Sequence, residues 1–390
     1  IHTSVKIDPQ YHGPVLYVAD ASRAVGVAGT LLSEDKRDEF IQTTKARYRE
    51  LREQRAAQQQ ERKLLSLSAA RANRFANDWS HYKPTKPSFT GLRTFDDYPL
   101  AELVNYIDWS PFFKAWELSG KYPAILDDAT VGKEATRLYD DANAMLHKII
   151  SEHWLQARAV VGFFPANTVN DDDIELYTSE SRSEVQTVFH TLRQQMSHRR
   201  NAPNLALADY IAPKDSGIPD YIGAFAVTTG IGIEDKIAEF EADHDDYSSI
   251  LLKALADRLA EAFAERMHER VRQEYWAYAP AESLSNNELI REEYRGIRPA
   301  HGYPACPDHT EKGILWALLR PDVNAGMTLT ESYAMLPTAA VSGLYFAHPE
   351  ARYFGIGKLG RDQVEDYARR KDMELAEAER WLASVLGYET

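Results

Sequence analysis

Apolar residues recur every four positions at Leu255, Leu259, Phe263, Met267 and Val271. That spacing puts one greasy stripe along a helix and predicts a long helix over 249–278. A second stripe, Ala135, Leu138, Ala142, Met145 and Ile149, predicts a helix over 132–154. Elsewhere the pattern changes. ARAVVGFFPA (157–166) and DYIGAFAVTTGIG (220–232) are apolar runs that read as buried strands, and DIELYTS (173–179) alternates like a partner strand. The NDDD between 170 and 173 reads as a solvated hairpin turn, with a cation site as the alternative. VSGLYFAHPEARYFGIGKL (341–359) reads as a hairpin turning at 348–351, with Pro349 inside the turn. RDQVEDYARRK (361–371) and ELAEAERWL (374–382) predict two terminal helices. Strands followed by runs of helices, without a regular βαβ alternation, argue for an α+β fold.

The first third of the chain is patterned differently. PVLYVAD (14–20) reads as a buried strand, and ASRAVGVAGTLLS (21–33) as a helix with Val25, Ala28 and Leu31 on one face. Strand, turn and helix make an α/β half-unit too short to fold alone. Residues 34–74 are polar nearly all round and hold neither glycine nor proline. They predict one or two long helices acting as a linker. Pro84, Pro87 and Pro99 then mark an extended entry into the next domain. The expected divisions are 1–33, 34–85 and 86–390.

Composition narrows the function. The 390 residues, 44% of them hydrophobic, suit a soluble globular protein. No run of 18 apolar residues and no signal peptide is present. The chain begins at Ile1, which suggests a piece of something longer. A net charge of −14 argues against nucleic acid and against an anionic membrane surface. The single cysteine, Cys306, excludes an internal disulfide and fits a reducing cytoplasm. It reads as a small loop residue rather than a nucleophile. His268, between Glu265 and Glu269, has no second histidine at helical spacing and reads as a surface residue. GIGIED lacks the third glycine of a dinucleotide fingerprint.

The richest stretch for chemistry is RPAHGYPACPDHTEK (298–312). Pro299, Pro304 and Pro307 favour a rigid extended loop, and Gly302 permits positive φ or close backbone approach. Arg298, Tyr303, His309 and Glu311 give it the look of a ligand-holding loop. This loop resembles the signature of the S-adenosylmethionine-binding activation domain of cobalamin-dependent methionine synthase. The resemblance extends, in order, through NYIDWSPFF (105–113), GFFPAN (162–167), DYIGAFAVT (220–228) and ADRLAEAFAE (256–265). It continues through LTESYAM (329–335), VSGLYFAHPEARYF (341–354) and RDQVEDYARRK (361–371). The family implies a twisted antiparallel sheet flanked by helices. Residues 1–33 resemble the last strand and helix of that enzyme's cobalamin domain.

The ligand offers a carboxylate, an ammonium, a sulfonium and an adenosine. Arg298 supplies a planar fork for a carboxylate. Asp108, beside Trp109, Phe112 and Phe113, supplies an acceptor for an ammonium or a ribose. Tyr303, Tyr353 and Phe354 supply faces for adenine or sulfonium. The resemblance places Asp108, Arg298, Ala300, Gly302, Tyr303, Tyr353 and Phe354 on the family's S-adenosylmethionine contacts. Glu261 and Glu292 are weaker candidates, and Ala21 falls where the family touches cobalamin. Phe354 replaces a tyrosine of some relatives. His301 stands where relatives often have proline, which is expected to loosen the loop. Other readings remain open: Asp108 as a helix cap, Arg298 paired with Glu292 or Glu293, Tyr353 and Phe354 as ordinary strand residues.

The resemblance implies reductive methylation. An electron from a flavodoxin-type donor and a methyl group from S-adenosylmethionine restore oxidised cobalamin, and methyl transfer from methyltetrahydrofolate to homocysteine resumes. No catalytic dyad or metal site is expected here; the cobalamin domain and the zinc site lie upstream. His198, Arg199 and Arg200 could form a basic patch for the acidic donor. A docking module that only regulates a corrinoid domain is the alternative from another class. An independent small-molecule methyltransferase would need a glycine-rich strand-end loop, which is not found.

Overall fold

The computed structural model describes residues 2–18, 21–60, 64–79, 81–197 and 202–389. The chain divides into two compact units, Ile1–Leu64 and Leu65–Thr390.

In the first unit, two short helical turns (Thr3–Ile7 and Asp8–Gln10) precede α1 (Ala21–Leu32) and α2 (Arg37–Gln60). Arg52 of α2 holds the start of the chain: its Nη1 donates to the Ser4 carbonyl and to Asp8 Oδ2, both at 2.7 Å. The long polar helix is present as α2. The strand expected over 14–20 is not. Residues 14–18 are irregular, and Ala19 and Asp20 lie outside the described residues. A strand must satisfy its backbone groups on a neighbour. The Tyr17 N–H goes instead to the Tyr48 hydroxyl at 2.9 Å. The α1 face is also uncovered, with Val25 77% and Leu32 85% exposed.

The second unit starts earlier than the expected linker boundary at residue 85. Ser66 caps α3 (Leu67–Ala72) by accepting from the Ala69 N–H. Arg71 of this helix reaches Asp172 and Asp366, each at 2.7 Å. The Trp276 indole donates to the Thr85 carbonyl at 2.7 Å. Residues 65–85 are therefore tied to this unit by charge and hydrogen bonds that polar composition alone does not reveal.

Chain order then runs β1 (Gly91–Tyr98), α4 (Leu100–Leu103), α5 (Trp109–Ala115), α6 (Gly132–Ser151), β2 (Gln156–Val169), β3 (Asp173–Tyr177) and β4 (Val185–His190). It continues with β5 (Asp220–Ile231), α7 (Ile233–Ala242), α8 (Asp246–Arg270), α9 (Asn286–Ile290), α10 (Glu311–Leu319) and α11 (Pro321–Asn324). A small ribbon of β6 (Thr328–Leu329) and β7 (Met335–Leu336) precedes β8 (Ala340–Tyr345), α12 (Arg361–Arg370) and α13 (Leu375–Trp381). The main sheet has the order β4-β3-β2-β5-β8, with β1 also on β2. Every pairing in it is antiparallel. This is the expected α+β architecture.

Both faces of the sheet are buried. Along β2, Ala159, Val161 and Phe163 face the core built with α5, α6 and α8. Val160, Phe164 and Ala166 face the opposite core, which includes α10 and Leu207–Tyr210. Strands buried on both sides read as continuous apolar runs, which is how β2 and β5 appear in sequence. A third cluster joins Leu192, Ile356 and Leu359 to α12 and α13.

Three details depart from the sequence reading. First, α8 carries its apolar stripe fully buried, but the helix is enclosed on other sides too. His268 is not a surface residue: it is 0% exposed, stacked on the Tyr345 ring at 5.3 Å. Burial, then Arg272 and Arg298, drives its pKa well below the ordinary value. Second, the NDDD turn is not simply solvated. Asp172 and Asp173 are 0% and 3% exposed, paired with Arg193 and with His190 and Arg370. Among the described residues no cluster suits a metal ion. Third, the turn at 348–351 forms, but its return arm pairs with no strand. Ile356 N–H donates to the Pro304 carbonyl at 2.7 Å, so the arm crosses the loop that follows Arg298.

That loop rests on β8 at Gly343, where any Cβ would strike the Pro299 carbonyl. The Leu344 N–H donates to the same carbonyl at 3.0 Å. Gly343→Ala should therefore destabilise the fold by about 1–3 kcal/mol. Urea unfolding checks this, and an unchanged midpoint would contradict the close docking of loop and strand.

Candidate functional site

The site begins where the chain leaves α9 and joins the edge of β8. Ile297 and Phe346 exchange both backbone hydrogen bonds at 3.0 Å. The loop then folds on itself. Tyr303 N–H donates to the Ala300 carbonyl at 3.1 Å, Cys306 N–H to the Tyr303 carbonyl at 3.0 Å, and Gly302 N–H to the Cys306 carbonyl at 2.8 Å. Gly302 has φ +94°, and a Cβ there would run into the His309 ring. Both conditions require glycine. Cys306 points its thiol at the Ala300 carbonyl, 2.9 Å away, and burial pushes its pKa up. It is a structural residue.

The back of the loop is fixed by charge. Lys371, after α12, lies 2.7 Å from Asp308 and 2.6 Å from Glu311. The Tyr367 hydroxyl donates to Asp308 at 2.6 Å. Glu311 also accepts the His190 N–H at 3.0 Å. Glu311 is thus a buried anchor and does not face a ligand. His301 is 4% exposed and stacked on Phe189 at 5.9 Å, so it packs the loop down where loosening was expected.

The front of the loop walls a cleft of about 450 Å³. Arg298, Ala300 and Tyr303 come from the loop, Tyr353 and Phe354 from the return arm after β8, and Glu261 from α8. Glu292, in a left-handed turn at φ +58°, completes the polar rim, and Phe225 and Val341 supply apolar floor. Tyr353 and Phe354 are not strand residues; the unpaired arm delivers them here.

Arg298 is the centre of the arrangement. Its Nη2 lies 2.9 Å from Glu265 Oε2, and its Nη1 donates to the Tyr294 hydroxyl at 3.0 Å. The Tyr353 hydroxyl accepts the Arg298 backbone N–H at 3.0 Å and lies 3.1 Å from the Tyr294 hydroxyl. Burial opposes the charge of the guanidinium. Glu265, Tyr294, Tyr353 and Glu261 outweigh that and hold its pKa above the ordinary value. Burial raises Glu261 and Glu292, each restrained by Arg298. Glu261, then burial, raises the Tyr303 phenol.

The partner expected for Arg298 was Glu292 or Glu293; the close one is Glu265. Glu265 and Tyr294 escaped the sequence reading. A signal existed: Glu265 sits one helical turn beyond Glu261, and Tyr294 four residues before Arg298. Asp108 does not line the cleft. It caps α5, its Oδ1 accepting the Ser110 N–H at 2.9 Å. Gly302 shapes the turn behind Tyr303 and does not line the wall either. Ala21 opens α1, but its side chain lies outside the described residues.

An antiparallel sheet carrying a cleft with one held cation, two carboxylates and four aromatic rings suits a binder of a small zwitterion bearing a flat group. Comparison with known proteins makes this specific. Residues 99–372 match the family model described as "Vitamin B12 dependent methionine synthase, activation domain". A solved structure titled "Crystal Structure of the MetH Reactivation Domain bound to AdoHcy" is 56% identical, with a TM-score of 0.81. The match covers 84% of this chain and 99% of that one. The chain belongs to the activation-domain family of vitamin B12-dependent methionine synthase, part of a methyltransferase enzyme. No helix among the described residues is long and apolar enough to cross a membrane.

The loop's buried histidine gives a pH test. Burial pushes His301 down to about 3, with Lys312, Lys371 and His309 adding to the effect and Asp308 opposing it. In the unfolded chain the ring takes a proton near ~6.5. Its contribution is intact above that value and drains as pH falls toward the folded value. Relative to His301→Gln, the chain should lose up to about 1.4 kcal/mol per pH unit below ~6.5. Urea titrations of both proteins at about pH 7 and about pH 5 check this; a constant difference would contradict it.

Proposed function

We propose that this chain binds S-adenosylmethionine in the Arg298 cleft and presents its methyl group for the reductive methylation of cobalamin. The observation that carries this reading is the guanidinium of Arg298, held by Glu265 and Tyr294 at the base of a cleft with carboxylates and rings around it. Arg298 receives the ligand's carboxylate as a planar fork. Glu261 and Glu292 face its ammonium and sulfonium charges. Tyr303, Tyr353 and Phe354 offer faces to the adenine and the sulfonium. Ala300 offers its backbone, while Gly302 sets the turn that presents Tyr303. The AdoHcy in the related structure supports the reading, since it carries the same carboxylate, ammonium and adenosine.

Cobalamin, when bound, supplies the nucleophile that accepts the methyl group. The task of these residues is to orient the sulfonium and keep the ligand from tumbling. No side chain of the cleft needs to gain or lose a proton. These residues would hold the sulfonium so that its methyl transfers as a cation equivalent: the S–C bond pair stays on sulfur, leaving S-adenosylhomocysteine, and the pair for the new bond would come from cobalamin already reduced by one electron from a flavodoxin-type donor. The basic patch expected for that donor, His198 to Arg200, lies outside the described residues. Residues 1–33 belong, in this reading, to the cobalamin-carrying domain, and the uncovered face of α1 fits burial there. The polar helix α2 serves as the arm between the two functions. A purely regulatory docking module would have no use for a held guanidinium facing a cleft.

Calorimetric titration of S-adenosylmethionine into the chain tests the assignment. Saturable binding is expected, weakened about ten- to a hundredfold in Arg298→Ala. Equal binding by both proteins would remove Arg298 from the site.

A further inference from the structure

Beneath the cleft, and outside its lining, lies a group of buried polar side chains with unmet hydrogen bonds. Glu265 is 8% exposed; its Oε2 holds Arg298 at 2.9 Å, and its Oε1 has no hydrogen-bond partner. Arg272, 0% exposed, pairs with Glu282 at 2.7 Å and places Nη1 3.9 Å from that Oε1. Both of its Nη atoms are otherwise unpartnered, as is His268 Nδ1. The Arg272 guanidinium lies over the Tyr294 ring, 4.4 Å from its centroid. Such an arrangement is expensive in a fold whose stability was the only requirement. Replacing the carboxylate and its cations by apolar groups would remove the penalty, so its retention calls for a reason in the site above.

We infer that Glu265 is the positioning residue of the ligand site, fixing the rotation of the Arg298 guanidinium so that its free edge faces the cleft. The inference rests on the ligand reading above and adds to it a residue outside the cleft wall. A guanidinium has five donors in one plane. Glu265 takes one from Nη2 and Tyr294 takes one from Nη1, which fixes the plane and leaves the rest for a carboxylate. Arg272 lies behind Glu265 at 3.9 Å and over the Tyr294 ring, and the His268 ring meets Tyr294 nearly at a right angle, 4.8 Å away. The chain of contacts from Arg272 through Glu265 to Arg298 sets direction as well as charge. A larger cavity of about 640 Å³, beside Phe75 and Trp79, carries no comparable demand: its Arg74 and Lys214 are already paired with Asp171 and Glu175.

A positioning role through Arg298 acts on the amino-acid half of the ligand and not on the adenosine half. The test uses two probes: S-adenosylhomocysteine, and 5′-methylthioadenosine, which lacks the carboxylate and ammonium. Affinities for both are measured by calorimetry on the full chain, on Glu265→Gln and on Glu265→Asp. In Glu265→Gln the preference for S-adenosylhomocysteine over methylthioadenosine should fall by about tenfold, with methylthioadenosine binding little changed. In Glu265→Asp, which keeps the charge but draws it back by one methylene, the same preference should fall by a smaller factor. The ratio is internal to each protein, so a partly unfolded variant does not distort it. Combined with Arg298→Ala, Glu265→Gln should cause no further fall, because the residue it positions is gone. An unchanged ratio, or equal weakening of both probes, overturns the inference. Failure of the unmodified chain to bind either probe overturns the ligand reading and this inference together.

Discussion

A guanidinium drawn largely out of water is costly to hold unless the surrounding protein supplies opposite charge and hydrogen bonds. Arg298 is in that position, and much of the second unit is arranged around it. The long helix α8 brings Glu265 beneath it and Glu261 in front. The segment after α9 brings Tyr294. The arm after β8 brings the Tyr353 hydroxyl, which ties the backbone at Arg298 to the hydroxyl of Tyr294. Two segments distant in sequence, α8 and the arm after β8, thus converge with the nearby Tyr294 on one residue. The cleft is the space left in front of it. In a low-dielectric surrounding the same charge attracts a ligand carboxylate more strongly than it would in water.

The loop after Arg298 can hold this geometry because both of its sides are anchored. One side adds backbone hydrogen bonds to β8 at Ile297 and Pro299. The other is clamped by Lys371 and Tyr367 on Asp308 and Glu311, far down the chain next to α12. Between them the packed His301 ring and the Gly302 turn leave little freedom. A rigid loop lowers the entropy lost when a ligand binds. The placement of the C-terminal helices is therefore part of the site, although none of their residues lines the cleft.

Much of this was legible in the sequence for a physical reason. The stripes of α6 and α8 and the continuous runs of β2 and β5 record burial directly, and burial is a local property of a pattern. The proline-rich loop announced its stiffness, and Arg298, Tyr303, Tyr353 and Phe354 do meet at one cleft. What was hidden depends on partners distant along the chain. Nothing near Asp173 shows that Arg370 will cover it, nor near Glu265 that Arg298 will. His268 resembles a surface histidine until Tyr345 and Tyr294 are placed against it. Residues 14–18 carry a strand-like pattern, but a pattern does not supply the neighbour that a strand needs. The return arm of the C-terminal hairpin fails for the opposite reason: its hydrogen bonds go to the loop and not to β8.

The most direct test of the central claim is a crystal structure of this chain grown with S-adenosylmethionine. The account predicts the ligand in the Arg298 cleft, its carboxylate within hydrogen-bond distance of the guanidinium and its adenosine against the Tyr303 or Tyr353 ring. Ligand bound anywhere else, with Arg298 still facing only Glu265 and Tyr294, would contradict it.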